Sequence, residues 1–151
     1  MNRAIGAGSR PAQSHAAEAD DDLAPRTVVL VVDDDRAIRH LAARVLSDAG
    51  YEVLEAAGGR EAVAIVLGSV RPIGLLLTDI QMPDVDGRQL AAIVRESRTD
   101  CAVVFMTGDR DMSGRADKPL PGPPVVFKPF AVAELLGTIE TALASRRDAA
   151  R

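Results

Sequence analysis

The feature that most restricts how this chain can fold is an alternation of two hydrophobic periods along residues 27–146. Val28-Val29-Leu30-Val31-Val32 is an unbroken apolar run rich in β-branched residues, the pattern of a strand buried on both faces. Residues 37–49 then place Ile38, Leu41, Ala42, Val45 and Leu46 at helical spacing, and Gly50 stands where a helix C-terminal cap belongs. The alternation repeats. Strands are predicted at 51–55, 73–78, 101–106 and 125–127, and helices at 60–70 (Ala62, Val63, Val66, Leu67), 87–97 (Leu90, Ala91, Ile93, Val94) and 132–145. Strands that alternate with helices of this length form βαβ units, and so a parallel sheet covered by helices on both faces. The reading is an α/β doubly wound domain with five strands and five helical slots.

In such sheets ligands bind beyond the carboxyl ends of the strands, near the switch in strand order. Four strand ends carry polar residues: Asp33-Asp34-Asp35, Asp79, Thr107 and Lys128. Gathering carboxylates in one place costs several kcal/mol unless they are neutralised. Two neutralising partners are available, a hard divalent cation and the Lys128 ammonium. Mg²⁺ suits the set, because it takes a few carboxylates together with water and a phosphate oxygen. Thr107 offers a hydroxyl donor and Lys128 a point charge for a phosphoryl group. One Asp would then be free as a nucleophile, with positioned positive charge stabilising the transition state.

Composition excludes other classes. Aromatic residues are only 3%, with no Trp, which argues against a base- or sugar-stacking surface. A net charge of −4 argues against a dedicated DNA-binding domain. The single cysteine, Cys101, cannot form an internal disulfide. No apolar run reaches the roughly 18–20 residues of a membrane span, and no signal-peptide core is present, so the expected compartment is the cytoplasm.

Four motifs in order, Val31-Val32-Asp33-Asp34-Asp35, Leu77 through Gly87, Phe105-Met106-Thr107-Gly108 and Phe127-Lys128-Pro129-Phe130, resemble the receiver domain of two-component response regulators. The Asp79-Ile80-Gln81-Met82-Pro83-Asp84-Val85-Asp86-Gly87 stretch is the most specific of them. The resemblance implies a flavodoxin-like (βα)5 sheet with strand order 2-1-3-4-5. It implies that Asp79 is the phospho-acceptor, that Asp33, Asp34 and Asp79 hold Mg²⁺ with the Gln81 backbone carbonyl, and that Thr107 and Lys128 contact the phosphoryl group. It implies a cis peptide bond before Pro129. The implied phosphodonor is a phosphohistidine on a sensor histidine kinase or phosphotransfer protein, and self-dephosphorylation accompanies acceptance. Asp35 is read as a helix N-cap, outside the metal site. Asp84 and Asp86 are read as solvated loop charges, His40 as surface, and Cys101, Met82 and Met106 as packing.

Three positions depart from the family pattern. Val125 stands where an aromatic switch residue is usual, Gly108 replaces the usual Ala, and the proline- and glycine-rich stretch 109–124 limits any helix there to about residues 111–118. The expected organisation is a disordered tail over 1–26, a receiver over 27–146 and a short tail over 147–151, giving a single-domain regulator without an output domain. It would signal through altered protein contacts or onward phosphotransfer. Two alternatives stay open: a phosphorylation-independent binding module on the same fold, and a phosphohydrolase of the haloacid dehalogenase type built on Asp33 and Asp35.

Overall fold

The computed structural model describes residues 25–98, 100–109 and 122–149. Five strands, β1 (Val28–Val32), β2 (Glu52–Ala56), β3 (Leu75–Asp79), β4 (Ala102–Thr107) and β5 (Val125–Phe127), form one parallel sheet in the order β2-β1-β3-β4-β5. Four helices are described: α1 (Arg36–Asp48), α2 (Gly59–Gly68), α3 (Gly87–Ser97) and α4 (Val132–Ala149). Strand order and class agree with the sequence reading. The expected tail over 1–26 lies almost wholly outside the described residues, and the helical slot expected at 111–118 lies entirely outside them.

The alternation of side chains along each strand sorts the core into two layers. Val29, Val31, Leu75, Leu77, Val104 and Met106 pack on one face with Ala42 and Leu46 of α1 and Leu135 and Ile139 of α4. Leu30, Val32, Leu76 and Phe105 pack on the other with Ala62 and Val66 of α2 and Leu90 and Val94 of α3. Each fully buried Leu or Val contributes about 1.5–3 kcal/mol of transfer free energy. Both faces of β1 and β3 are covered, which is why those strands read as unbroken apolar runs. Cys101 and Met106 are core residues as expected, and Met82 packs against the second of these layers.

The helical stripes are narrower than their sequence suggested. Leu41 and Leu67 share the apolar spacing of α1 and α2 yet are 53% and 66% exposed. The sheet presents only enough surface for Ala42, Ala43 and Leu46 of α1 and for Gly59, Ala62 and Val66 of α2. At its far end α4 runs on through Ala149, beyond the helix end expected at Ser145. Arg146 and Arg147 lie in its last turn, where positive charge favours helix. After α1, Gly50 adopts φ +99°, the left-handed geometry that ends a helix most readily at glycine. Among the described residues, no helix is long and apolar enough to cross a membrane.

Candidate functional site

The chain leaves β1 for β2 on one side and reaches β3 on the other, so a cleft opens where β1 and β3 end side by side. Asp33 follows β1 directly and is fully buried, whereas Asp34 is exposed. Asp79 is the last residue of β3 and is 6% exposed. One carboxylate oxygen from each of Asp33, Asp34 and Asp79 lies within 4.8 Å of the others.

Lys128 emerges from β5 and enters the same cluster. Its Nζ donates to Asp33 Oδ2 at 2.9 Å and lies 3.2 Å from Asp79 Oδ2. The Lys128–Pro129 peptide bond is cis, as the resemblance implied. The other oxygen of Asp33 accepts from the Asp35 N–H at 2.9 Å, and the Arg39 guanidinium holds the Asp33 carbonyl at 2.8 Å. Asp33 is thus fixed from three sides.

Local geometry explains the neighbouring residues. Asp35 Oδ1 accepts from the N–H groups of Ala37 and Ile38, so it caps α1 and stays out of the cluster, as expected. That placement engages the Asp35 carboxylate at the helix N-terminus, away from the Asp33, Asp34 and Asp79 oxygens. A Cβ at Gly87 would lie 2.2 Å from the Asp79 carbonyl oxygen, so any other residue there would push the backbone that carries Asp79. The Gly87 N–H donates to the Ile80 carbonyl at 2.8 Å, which closes the base of the loop after Asp79. Within that loop Gln81 is exposed, and its N–H donates to Asp79 Oδ1 at 3.3 Å.

Thr107 ends β4 at the same edge of the sheet and is 1% exposed. It lies one residue beyond Met106, the register partner of Asp79. Its hydroxyl accepts from the Asp109 N–H at 3.0 Å. Val125, at the first position of β5, is half-buried against the core. His40 is exposed and lies 3.7 Å from Glu55.

Electrostatics follow from this crowding. Burial raises the Asp79 carboxyl above the ordinary carboxylate value, Lys128 opposes the rise, and the Asp33 charge adds to it. Burial alone would lower the Lys128 ammonium, but the Asp33 hydrogen bond and the Asp33 and Asp79 charges outweigh it and raise the group. Among the described residues, three carboxylates gather around the Lys128 ammonium, with the Arg39 guanidinium on the Asp33 carbonyl. Closely spaced oxygen donors, two of them buried, meet the requirement of a hard divalent cation such as Mg²⁺.

The sequence reading missed what the residues between Asp79 and α3 do structurally. Asp86 caps α3 in a reciprocal capping box with Gln89. Asp84 reaches across to α2, accepting from the N–H of Gly59 at 3.4 Å and of Arg60 at 3.2 Å. Its carboxyl is held below the ordinary value by the hydrogen bonds from Val85 and Arg60.

The fold and site define a doubly wound α/β domain with an acidic cluster at its strand ends, and comparison with known proteins places it more narrowly. Residues 29–140 match the family model described as the response regulator receiver domain. The chain is 34% identical over 116 residues to the response regulator receiver protein CpdR of Brucella abortus, covering 76% of this chain and 95% of that protein. It is 38% identical over 122 residues to the response regulator MprA of Mycolicibacterium vanbaalenii, again over 76% of this chain but 49% of the relative. The chain therefore spans about half the length of MprA. The crystal structure of a response regulator receiver protein from Sinorhizobium medicae superposes with a TM-score of 0.70 at 26% identity, covering 80% of this chain and 97% of that one. This chain belongs to the response regulator receiver domain family.

Proposed function

We propose that residues 27–146 form a phosphoryl-accepting receiver that takes a phosphoryl group onto Asp79 from a phosphohistidine of a sensor kinase or phosphotransfer protein. The observation that carries this reading is the convergence of Asp33, Asp34, Asp79 and Lys128 at the ends of β1, β3 and β5. An ionised Asp79 oxygen attacks the phosphorus of the donor. The new P–O bond forms as the P–N bond to the donor imidazole breaks, and the electron pair leaves with the imidazole nitrogen. Asp33, Asp34, Asp79 and the Gln81 carbonyl are the residues that would hold Mg²⁺. When bound, that ion supplies charge neutralisation for the entering phosphoryl oxygens.

Lys128 is already within reach of Asp79 and would move its ammonium onto a phosphoryl oxygen. The Thr107 hydroxyl, which donates to the Asp109 carbonyl at 3.4 Å, would turn that proton onto another phosphoryl oxygen while it still accepts from the Asp109 N–H. In self-dephosphorylation a water oxygen attacks the phosphorus as the P–O bond to Asp79 breaks; the electron pair returns to the Asp79 carboxylate and the water proton leaves with inorganic phosphate or solvent. The match along 95% of CpdR, a response regulator receiver protein, supports reading the protein as a regulator; its output in this proposal is a protein contact or onward phosphotransfer in the cytoplasm.

A second reading, a phosphorylation-independent binding module, is favoured by one observation. Val125 occupies the position of the family's aromatic switch and is packed against the core, so no ring is present there to swing. Radiolabelled phosphotransfer from the autophosphorylated histidine kinases of the source organism separates the two readings. Transfer that needs Mg²⁺ supports the receiver. Absence of transfer from every kinase, with partner affinity equal with and without acetyl phosphate, supports the module.

A further inference from the structure

The start of α2 lacks a cap of its own. Its N-cap residue is Gly58, which has no side chain to accept from the first-turn N–H groups. Asp84 performs that task from another loop. Its Oδ1 accepts from Gly59 and its Oδ2 from Arg60, while Oδ1 also accepts from its neighbour Val85 at 2.8 Å. The contact is closely fitted on both sides. A Cβ at Gly59 would lie 2.5 Å from Val85 Cβ and 2.8 Å from the Val85 carbonyl oxygen, and a Cβ at Gly58 would lie 3.4 Å from both Asp84 oxygens. Glycine at position 59 is what lets the Asp84-Val85 segment seat this deeply.

The segment so anchored is the loop that carries the proposed site. At one end Gln81 donates to Asp79 Oδ1, and at the other Gly87 donates to the Ile80 carbonyl. Asp84 sits between these ties and fastens the loop to a separate element of the fold.

We propose that Asp84 is a positioning residue for the phosphoryl and metal site, holding the 80–86 loop against the N-terminus of α2 so that Gln81 stays in register with Asp79. The inference rests on the receiver reading only where Mg²⁺ enters; the anchoring itself does not depend on the metal. A change at the site is transmitted through Asp84 to the first turn of α2, and loosening that turn loosens the site.

Amide hydrogen exchange on the full chain without metal tests the anchoring, and calorimetric Mg²⁺ titration tests its consequence. In Asp84→Ala the amides of Gly59 and Arg60 should exchange several-fold faster than in wild type, and those of Gln81 and Gly87 should follow. Mg²⁺ affinity should fall about tenfold, the usual order for loss of an outer-shell support. Asp84→Asn keeps one acceptor oxygen and should recover part of both effects.

Gly59→Ala reaches the same contact from the α2 side. Alanine favours helix more than glycine does, so faster Gln81 exchange in this variant, with the amides of β1 and β3 unchanged, reports the displaced loop. Gly59→Ala also serves should Asp84→Ala fail to fold. The proposal is overturned if Gly59 and Arg60 accelerate while Gln81 and Gly87 do not, because Asp84 would then be a cap alone. It is equally overturned if Mg²⁺ affinity is unchanged in both variants. A wild-type protein that does not bind Mg²⁺ removes the receiver reading and leaves the exchange comparison to decide the anchoring.

Discussion

Lys128 Nζ lies 2.9 Å from Asp33 Oδ2, a contact that joins residues 95 apart in sequence and ties the end of β5 to the centre of the sheet. The Asp33 side chain is fully buried, so this ammonium is its main neutralising partner in the metal-free state. Removing one member of a buried pair strands the other charge. Lys128→Met should therefore lower unfolding stability by about 2–4 kcal/mol, somewhat under the full cost for a deeply buried pair because the cluster opens to solvent at Asp34. Millimolar Mg²⁺ should restore part of that loss by replacing the missing charge. Urea denaturation with and without Mg²⁺ measures both effects.

Asp79 gives the opposite sign. Its folded carboxyl is raised by burial and by Asp33, with Lys128 opposing. A group raised in the folded state contributes stability that is present below its unfolded pKa and is lost as pH rises through the folded one. At neutral pH the ionised Asp79 thus weighs against the metal-free fold. Asp79→Asn should melt at a higher temperature than wild type at pH 7 in the presence of a chelator. The advantage should shrink as the wild-type carboxyl becomes protonated in acid. Calorimetric scans across that range check the sign.

Much of this arrangement is legible in the sequence because its signals are local. Val28–Val32 and Leu75–Asp79 are read from unbroken apolar runs, and a parallel sheet brings the residues that follow such runs to one edge. Asp35 and Gly50 are read from helix punctuation. What escapes the sequence is non-local. Asp84 caps a helix 24 and 25 residues away, and no spacing rule connects them. Leu41 and Leu67 continue apolar stripes past the width that the sheet can cover, so periodicity alone overstates the buried face.

Gly137 lies in the interior of α4 with negative φ, and a Cβ added there would meet nothing within 4 Å. Alanine at this position should remove only the conformational penalty of glycine. Gly137→Ala is expected to stabilise the protein by about 0.5–1 kcal/mol without altering the site. A rise of roughly 2–4 °C in Tm with unchanged Mg²⁺ affinity is the expected outcome.

Cys101 is 1% exposed, and burial pushes its thiol up to about 11. The thiolate needed for disulfide exchange is therefore scarce at mildly alkaline pH, and the sulfur is shielded. The native protein should fail to react with an aromatic disulfide reagent over the time in which the urea-unfolded chain reacts fully. Fast reaction of the native protein would contradict the packing described for this edge of β4.

Acceptance of a phosphoryl group by Asp79, in a site completed by a divalent cation, is tested most directly by incubation with acetyl phosphate and Mg²⁺ followed by intact mass measurement. Wild type should gain the mass of one phosphoryl group only when Mg²⁺ is present, and Asp79→Asn should gain none. No gain in wild type, or a gain that survives in Asp79→Asn, would contradict the account.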